Sequence, residues 1–329
     1  MSDRMLQSRP SLRRREFLGV GAAAVAGASL AASGMRAEAA DAPAAGVVPP
    51  GKPTELQIAC MTLPYSRFPL TRALSGIKAA GYRYVAWGTT HKEEGGKDVP
   101  VMPNDAPPQQ ARELGKRCRD LGLEPLMMFS IIYPEAPNGL EVLTNRVKQA
   151  SAAGIPHVLT FGHTQGGNRE VWIERFKKLG PIAREHGVTI VVKQHGGTTG
   201  TGEACAEITR AVKDPGIMVN YDAGNVMDYL NVDPLPDIRK CAAEVRSFCI
   251  KDHRNWPKSQ DCGPGFGEID HYKLLYPVAF TGLKMPLCCE NISAPLVPYP
   301  TAPEGVDALA RRAREFLELV IEGLQNCGC

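Results

Sequence analysis

Short apolar runs alternate with segments of helical apolar periodicity along most of the chain. We predict β-strands for eight runs, at Leu56–Met61, Tyr84–Trp87, Pro125–Phe129, His157–Phe161, Val188–Gln194, Ile217–Tyr221, Val245–Ile250 and Leu287–Glu290. The segments between them predict helices near residues 70–80, 107–121, 138–153, 168–185, 202–213, 237–243, 269–275 and 301–324. Eight strand–helix pairs spaced by about 30 residues require parallel strands joined by crossover helices. Within about 275 residues they predict a single-domain α/β fold, the closed (β/α)8 TIM barrel.

Local signals refine this prediction. An open doubly wound sheet is the alternative, but its G-x-G-x-x-G phosphate fingerprint is absent after the first strand. Asn138 and Asn168 stand where N-caps of two helices are expected. Thr301 and Glu304 match the capping box of the last helix.

Polar side chains follow the apolar runs, at the strand ends that carry the chemistry of TIM barrels. Lys193 and His195 end the fifth run, and Asn220 and Asp222 end the sixth. Side chains two apart on a strand point to the same side, so both pairs face one place. The other candidates at strand ends are His91, His163, Lys251, His253 and Glu290. Their recurrence favours an active site over ordinary polarity at strand ends.

The first 39 residues have the pattern of an export signal. Arg13–Leu18 (RRREFL) precedes an apolar run rich in Ala and Gly, and Ala37–Ala39 is a small-residue cleavage pattern. The Arg-Arg-x-Phe-Leu core resembles a twin-arginine signal, and about 15 apolar residues are too few to span a bilayer. We therefore expect a twin-arginine signal peptide at 1–39, a linker at 40–53, the barrel at 54–326 and a tail at 327–329. The mature protein would be exported, for example to a periplasm, without a stable membrane span.

Removal of the signal changes the charge balance. It contains six of the 38 Lys and Arg residues and three of the 35 Asp and Glu residues, so 32 of each sign remain. A balanced chain has no excess of basic charge for nucleic acid or an anionic membrane. Most of the ten Cys residues are expected to be unpaired, because several lie in apolar runs where Cys behaves as a small hydrophobe. The sequence leaves open whether the protein forms a homo-oligomer.

Four segments resemble the xylose-isomerase-like barrel superfamily, which includes sugar phosphate isomerases and epimerases. They are Tyr221–Asn225, Ile250–Asp252, Gly263–Asp270 and a last strand that ends in Glu290. The resemblance implies a divalent metal (Mn, Mg, Co or Zn) held by Glu, Asp, His and Glu at the ends of strands five to eight. Asp222 and Glu290 match the second and fourth ligands, whereas Lys193 and Cys249 stand at the first and third positions.

A protonated lysine at a ligand position cannot bind a metal and repels one nearby. If the metal is retained, we expect it to be displaced toward Asp222, Glu290 and His195, with His163 or His253 as a further ligand. Mixed ligation by imidazole and carboxylate suits Zn, Mn or Fe.

If the metal is absent, Lys193 itself supplies a positive charge that polarises a carbonyl or alkoxide. A lowered pKa in a dry barrel mouth would alternatively let Lys193 act as a general base. Lys251 is a further catalytic candidate. His91, Asn220 and Trp256 are the candidates for contacts with a sugar.

The resemblance implies a carbohydrate-active isomerase or epimerase that takes a proton next to a sugar carbonyl. Glu290 or Lys193 would take the proton, and a metal or Lys193 would stabilise the enediolate. A β-eliminating lyase or hydratase that acts on keto-glycosides is the first alternative. A non-catalytic sugar-binding protein on a degenerate barrel is the second, favoured by the two replaced ligands. An abasic-site endonuclease fits poorly, because the chain lacks a basic groove and a His-rich metal set.

Overall fold

Eight parallel strands close into a barrel in the computed structural model, which describes residues 51–326. In order around the barrel they are β1 (Glu55–Met61), β2 (Tyr84–Trp87), β5 (Glu124–Phe129), β6 (His157–Phe161), β7 (Thr189–Lys193), β8 (Ile217–Tyr221), β9 (Val245–Ile250) and β12 (Lys284–Cys289). The predicted TIM barrel is confirmed, and the fifth predicted strand is β7. The predicted signal peptide, residues 40–50 of the linker and the tail lie outside the described residues.

The helices within residues 51–326 are α1 (Leu70–Ala79), α2 (Pro108–Asp120), α3 (Gly139–Ala153), α4 (Arg169–Glu185), α5 (Gly202–Val212), α6 (Ala223–Leu230), α7 (Pro234–Cys241), α8 (His271–Leu275) and α9 (Pro303–Gln325). In this part of the chain, no helix combines the length and the apolar character needed to cross a membrane. Its eight Cys residues are buried free thiols, and four of them, Cys60, Cys249, Cys288 and Cys289, lie in the apolar runs for which this was predicted.

The position of the N-cap agrees with the sequence signal in two of the three helices for which it was predicted. Asn168 accepts a hydrogen bond from the backbone N–H of Val171, as predicted. Asn138 is the N-cap residue of α3, as predicted, but with a φ of −95° and a ψ of 11° its side chain makes no capping hydrogen bond. The capping box at Thr301 is wrong. Pro303 occupies the first helical position, so Ala302 becomes the N-cap.

Alternation of side chains separates an outer core from the barrel interior. On β7, Ile190 and Val192 pack toward the surrounding helices, whereas Val191 lies inside the barrel. The interior also contains Ala59, Met61, Ala86, Met127, Leu159, Cys249 and Cys288. Lys193 comes two residues after Val191, so it enters the barrel directly above this apolar layer. By the same alternation, the side chains that follow interior residues by two positions at the ends of other strands also enter the barrel.

Three elements at the carboxyl end of the barrel escaped the sequence prediction. They are α6 and two hairpins, β3 (Thr90–Lys92) with β4 (Asp98–Pro100) and β10 (Asp252–Arg254) with β11 (Gln260–Cys262). Strands of three residues are too short to show a period of two, and α6 begins with Ala-Gly, a poor start signal for a helix. The hairpin β10–β11 matters most, because it follows β9 directly and contributes to the site.

Candidate active site

Lys193, Asp222, Lys251 and Glu290 form the charged top layer of the barrel interior. Lys193 Nζ lies 2.5 Å from Glu290 Oε1 and 3.0 Å from Asp222 Oδ2. Lys251 Nζ lies 3.5 Å from Glu290 Oε2 and 3.6 Å from Asp222 Oδ2. None of the four side chains is more than 10% exposed. Two buried ammonium groups therefore bridge the same two carboxylates.

The segment Tyr221–Asn225 builds one side of this layer. Asp222 caps α6, because its Oδ1 accepts a hydrogen bond of 2.9 Å from the N–H of Asn225. The side chain of Asn225 holds Lys251, whose Nζ donates to Asn225 Oδ1 over 2.5 Å. Gly224 is required by close packing, since a Cβ at this position would lie 2.7 Å from Cγ of Lys251. The motif thus places one carboxylate and one lysine together.

Mutual compensation favours the charged forms of Lys193, Lys251 and Glu290, whereas burial prevails at Asp222. Burial opposes the charge of Lys193, but Glu290 and Asp222 outweigh it and raise the pKa of the ammonium. The pKa of Lys251 is raised in the same way, against burial, by Asp222, Glu290 and Asp261. Burial would raise the pKa of Glu290, but the two lysines hold it well below its usual range. Burial raises the pKa of Asp222 to about 6.

These directions correct one expectation about Lys193. A lysine acts as a general base only when its pKa is lowered, whereas the carboxylates beside Lys193 raise the pKa of its ammonium group. Lys193 is therefore an ammonium group, and the remaining role among those predicted from the sequence is that of a fixed positive charge.

The residues at the four ligand positions of the family do converge. Ligand atoms of Asp222, Cys249 and Glu290 lie within 4.8 Å of one another, and Lys193 Nζ contacts both carboxylates. A divalent ion between Asp222 and Glu290 would be repelled by two ammonium groups. Burial also raises the pKa of the Cys249 thiol well above its usual value, so a thiolate ligand is disfavoured. This donor set does not fit a divalent metal.

The displaced ligand set expected from the sequence is not assembled. His195 belongs to neither group of converging metal-type ligands found among residues 51–326. Its Nδ1 lies 2.7 Å from the carbonyl oxygen of Gly162, and its ring packs between those of Phe161 and Tyr229. Burial lowers the pKa of His195. His195 therefore lies in an aromatic wall of the site.

His163 and His253 have other acidic partners. His163 Nε2 lies 3.1 Å from Glu135 Oε1. His253 Nδ1 lies 2.8 Å from Asp261 Oδ1, and together with Asp228 these residues form the second group of converging ligand atoms in residues 51–326. Neither histidine is grouped with Asp222 and Glu290.

The three candidates for sugar contacts are dispersed. Asn220 is fully buried, and its side chain donates to Ser247 Oγ and accepts from the N–H of Cys249, so it supports the layer below the lysines. His91 is also buried, with Nδ1 2.8 Å from the carbonyl oxygen of Phe68, and burial lowers its pKa. Trp256 lies between β10 and β11 and is 78% exposed.

A cavity of about 390 Å³ opens onto the charged layer. Its lining comes mainly from the loops after β1 and β12 and consists of Leu63, Pro64, Ser66, Arg67, Lys251, Glu290, Asn291, Ile292, Ser293 and Tyr299. The volume is in the range of small-molecule sites. Lys251 and Glu290 thus face the cavity, whereas Lys193 and Asp222 lie beneath them and are almost completely buried.

Sequence reasoning missed several residues of this site. Asp261 Oδ2 lies 2.9 Å from Lys251 Nζ, yet only the unpredicted hairpin brings it there. The side chain of Gln194 accepts a hydrogen bond from the backbone N–H of Asp222. The periodicity of the sequence does not predict this contact. Asn225 and Arg67 were also missed. Only Asn225 carried a signal, since it belongs to a segment that resembles the superfamily.

A parallel barrel with its ionisable groups at the carboxyl ends of the strands defines the class of TIM-barrel proteins. The sequence profile of the xylose isomerase-like TIM barrel matches residues 74–318. The chain belongs to this family. No curated protein sequence matches it.

Solved structures share the fold at low sequence identity. An L-ribulose 3-epimerase superposes with a TM-score of 0.63 at 18% identity, over 83% of this chain and 97% of the other. A xylose isomerase-like protein from Mycobacterium smegmatis in complex with magnesium has a TM-score of 0.62 at 17% identity, over 83% and 98%. The IOLI protein, solved with a zinc atom, has a TM-score of 0.62 at 14% identity, over 82% and 99%. Epimerases and metal-bound proteins therefore occur among the structural neighbours.

Proposed function

We propose that this protein is a carbohydrate-active enzyme of the isomerase and epimerase type that works without a divalent metal between Asp222 and Glu290. The observation that carries the proposal is the position of Lys193 Nζ, within 3.0 Å of oxygens of both carboxylates. The family resemblance implies a metal ion at this position. An ammonium group there provides a positive charge without the coordination shell of a metal.

The proposed reaction begins with proton transfer from a carbon next to a sugar carbonyl. Oε2 of Glu290 is the candidate base, because Oε1 accepts a hydrogen bond of 2.5 Å from Lys193 whereas Oε2 lies 3.5 Å from the ammonium of Lys251. As the proton moves to Glu290, the electron pair of the C–H bond passes to the carbonyl oxygen and forms an enediolate. The ammonium of Lys251 faces the same cavity and would stabilise this oxygen.

The lysines have opposite effects on the two partners in this step. They make Glu290 a weaker base by lowering its pKa, and they make the substrate C–H more acidic by stabilising the enediolate. Return of the proton to the neighbouring carbon gives an isomer, and return to the other face of the same carbon gives an epimer. Departure of a leaving group from the next carbon gives β-elimination, so a lyase of keto-glycosides shares the first step.

The expected export also bears on the substrate. A protein that leaves the cytoplasm through a twin-arginine signal meets free sugars and glycosides more often than sugar phosphates. We therefore propose an extracytoplasmic small-molecule carbohydrate as substrate.

Deuterium exchange tests the shared first step without requiring the product to be known. A panel of ketoses and keto-glycosides is incubated with the protein in D₂O, and incorporation next to the carbonyl is measured by mass spectrometry. We expect exchange with the wild-type protein and a loss of about 10²–10⁴-fold in Glu290→Gln, the range for a general base. Glu304→Gln is the matched control, because Glu304 is 76% exposed on α9.

Two results would count against the proposal. Exchange that persists in Glu290→Gln would remove Glu290 from the role of base. Sugar binding measured by calorimetry, without exchange of any panel member, would favour the non-catalytic sugar-binding protein.

A further inference from the structure

The cavity above Glu290 is lined by a cation, Arg67, that forms no ion pair with the acidic groups of residues 51–326. Arg67 lines this cavity from the loop after β1. Within residues 51–326 no carboxylate lies within 4.0 Å of its guanidinium, although Arg72 in the helix that follows is paired with Asp307 at 2.6 Å. An unpaired arginine at the wall of a cavity is available to a ligand.

The guanidinium of Arg67 is placed by an aromatic ring rather than by a charge. Its central carbon lies 5.6 Å from the ring centroid of Tyr299, within the range of a cation–π contact. The ring is itself held, because the hydroxyl of Tyr299 donates to the carbonyl oxygen of Pro64 over 2.8 Å. Tyr299 also lines the cavity. This contact positions the guanidinium and leaves its N–H groups for hydrogen bonds with a ligand.

The other cation of the cavity is already compensated. Lys251 Nζ lies within 3.6 Å of the carboxylates of Asp222, Asp261 and Glu290. Of the two cations in the lining, Arg67 is therefore the one without a carboxylate partner within residues 51–326. The planar fork of its guanidinium matches a carboxylate.

Neutral donors lie in the same lining. Oδ1 of Asn291 accepts from the N–H and the hydroxyl of Ser293, which leaves the amide nitrogen of Asn291 for a ligand. Ser66 provides a hydroxyl group next to Arg67. The single carboxylate among the lining residues is Glu290, which repels an anionic group and attracts the opposite end of a substrate.

We propose that Arg67 binds a carboxylate of the substrate, so that the protein acts on acidic sugars such as uronates or their keto derivatives. The inference rests on the proposed function, because it assigns a substrate class to the same cavity. Arg67 would hold the carboxylate at one end of the sugar while the carbon to be deprotonated lies at Glu290.

Calorimetry on matched ligands tests this assignment. The probes are hexuronates, the corresponding neutral hexoses and the hexose 6-phosphates, which differ only at the sixth carbon. We expect at least one uronate to bind about 10- to 100-fold more tightly than its neutral counterpart, the range for a charge-assisted hydrogen bond. Arg67→Gln should abolish this preference, so that the uronate and its neutral counterpart bind with similar affinity. Arg117→Gln is the control, since Arg117 is an exposed arginine of α2 away from the cavity.

The remaining outcomes are decisive as well. The assignment fails if no uronate binds more tightly than its neutral counterpart, if the phosphates bind most tightly, or if Arg67→Gln keeps the preference. These binding results are independent of turnover. Uronate binding that depends on Arg67, together with a lack of deuterium exchange, would overturn the proposed catalysis and leave the carboxylate site intact.

Discussion

The two upper layers of the barrel interior differ sharply although the same strands build both. The lower layer includes Val191 and Cys249, which are apolar and packed against other interior side chains. Two residues further along the strands, Lys193, Lys251 and Glu290 replace this packing with charge. Buried ion pairs often contribute less to stability than apolar groups of similar volume. A charged layer at this position is therefore better explained by chemistry than by folding.

The largest expected effect comes from removing one charge of the upper layer. Lys193→Met removes the closer of the two ammonium groups that bridge Asp222 and Glu290, and the loss of one partner of a buried pair costs about 3–5 kcal/mol. We expect the free energy of unfolding, measured in urea, to fall by this amount. Val191→Ala in the lower layer should cost about 2 kcal/mol through lost apolar contacts and a cavity.

A double substitution provides the control for this comparison. Lys193→Met combined with Glu290→Gln removes opposite charges together and should recover part of the lost stability. If Lys193→Met costs no more than Val191→Ala, the upper layer does not depend on charge compensation.

Restoring the ligands implied by the family should convert the charged layer into a metal site. Lys193→Glu with Cys249→His removes the closer of the two repelling ammonium groups and the protonated thiol, and it adds a carboxylate and an imidazole at the first and third positions. We expect this variant to bind Mn²⁺ or Zn²⁺ in equilibrium dialysis. An ion at 100 times its Kd would raise the free energy of unfolding by about 2.7 kcal/mol. If the wild-type protein bound one ion as tightly as this variant, Lys193 would not exclude a metal from the site.

The pKa of Asp222 predicts a pH dependence with a definite sign. Burial raises this pKa from 3.8 to about 6, so the folded protein holds the proton more tightly than the unfolded chain. The contribution of Asp222 to stability should therefore decrease as the pH rises from about 4 to about 6. Asp222→Asn keeps the cap of α6 and cannot titrate.

The measurement is the stability of the wild-type protein relative to Asp222→Asn across this pH range. The difference should shift against the wild-type protein as the pH rises. A constant difference, or a shift in favour of the wild-type protein, would show that burial does not raise the pKa of Asp222.

The smallest expected effect concerns a residue that acts through Lys251. Asp261 contacts both Lys251 Nζ, at 2.9 Å, and His253 Nδ1, at 2.8 Å. We expect Asp261→Asn to lower the rate of deuterium exchange about tenfold with little change in KM, because Lys251 loses a charged partner. Asp228→Asn is the control, since Asp228 lies near His253 but makes no ion pair with Lys251. Equal effects of both substitutions would assign Asp261 a purely structural role.

The sequence predicted the barrel because strand and helix periods repeat with regular spacing. It also identified Lys193, Asp222, Lys251 and Glu290 as neighbours, because parallel strands bring their carboxyl ends together. It failed for His195 as a replacement ligand, since contacts with Phe161 and Tyr229 rather than sequence distance decide where this ring lies.

Two other parts of the site depend on irregular backbone. Asp261 reaches Lys251 through a hairpin of two three-residue strands, which leaves no periodic pattern. Arg67 enters the cavity from a loop, and its lack of an acidic partner can be recognised only in three dimensions. Whether the pKa of Lys193 is raised or lowered likewise depends on its distances to Glu290 and Asp222, which cannot be obtained from the sequence.

Deuterium exchange after complete removal of divalent metal tests the central claim most directly. The wild-type protein is dialysed against a chelator, its metal content is checked by elemental analysis, and exchange of an accepted sugar is measured in D₂O. We predict an unchanged exchange rate, because Lys193 and Lys251 supply the positive charge of the site. Loss of exchange on chelation and its recovery with Mn²⁺, Mg²⁺, Co²⁺ or Zn²⁺ would contradict the proposed role of the lysines.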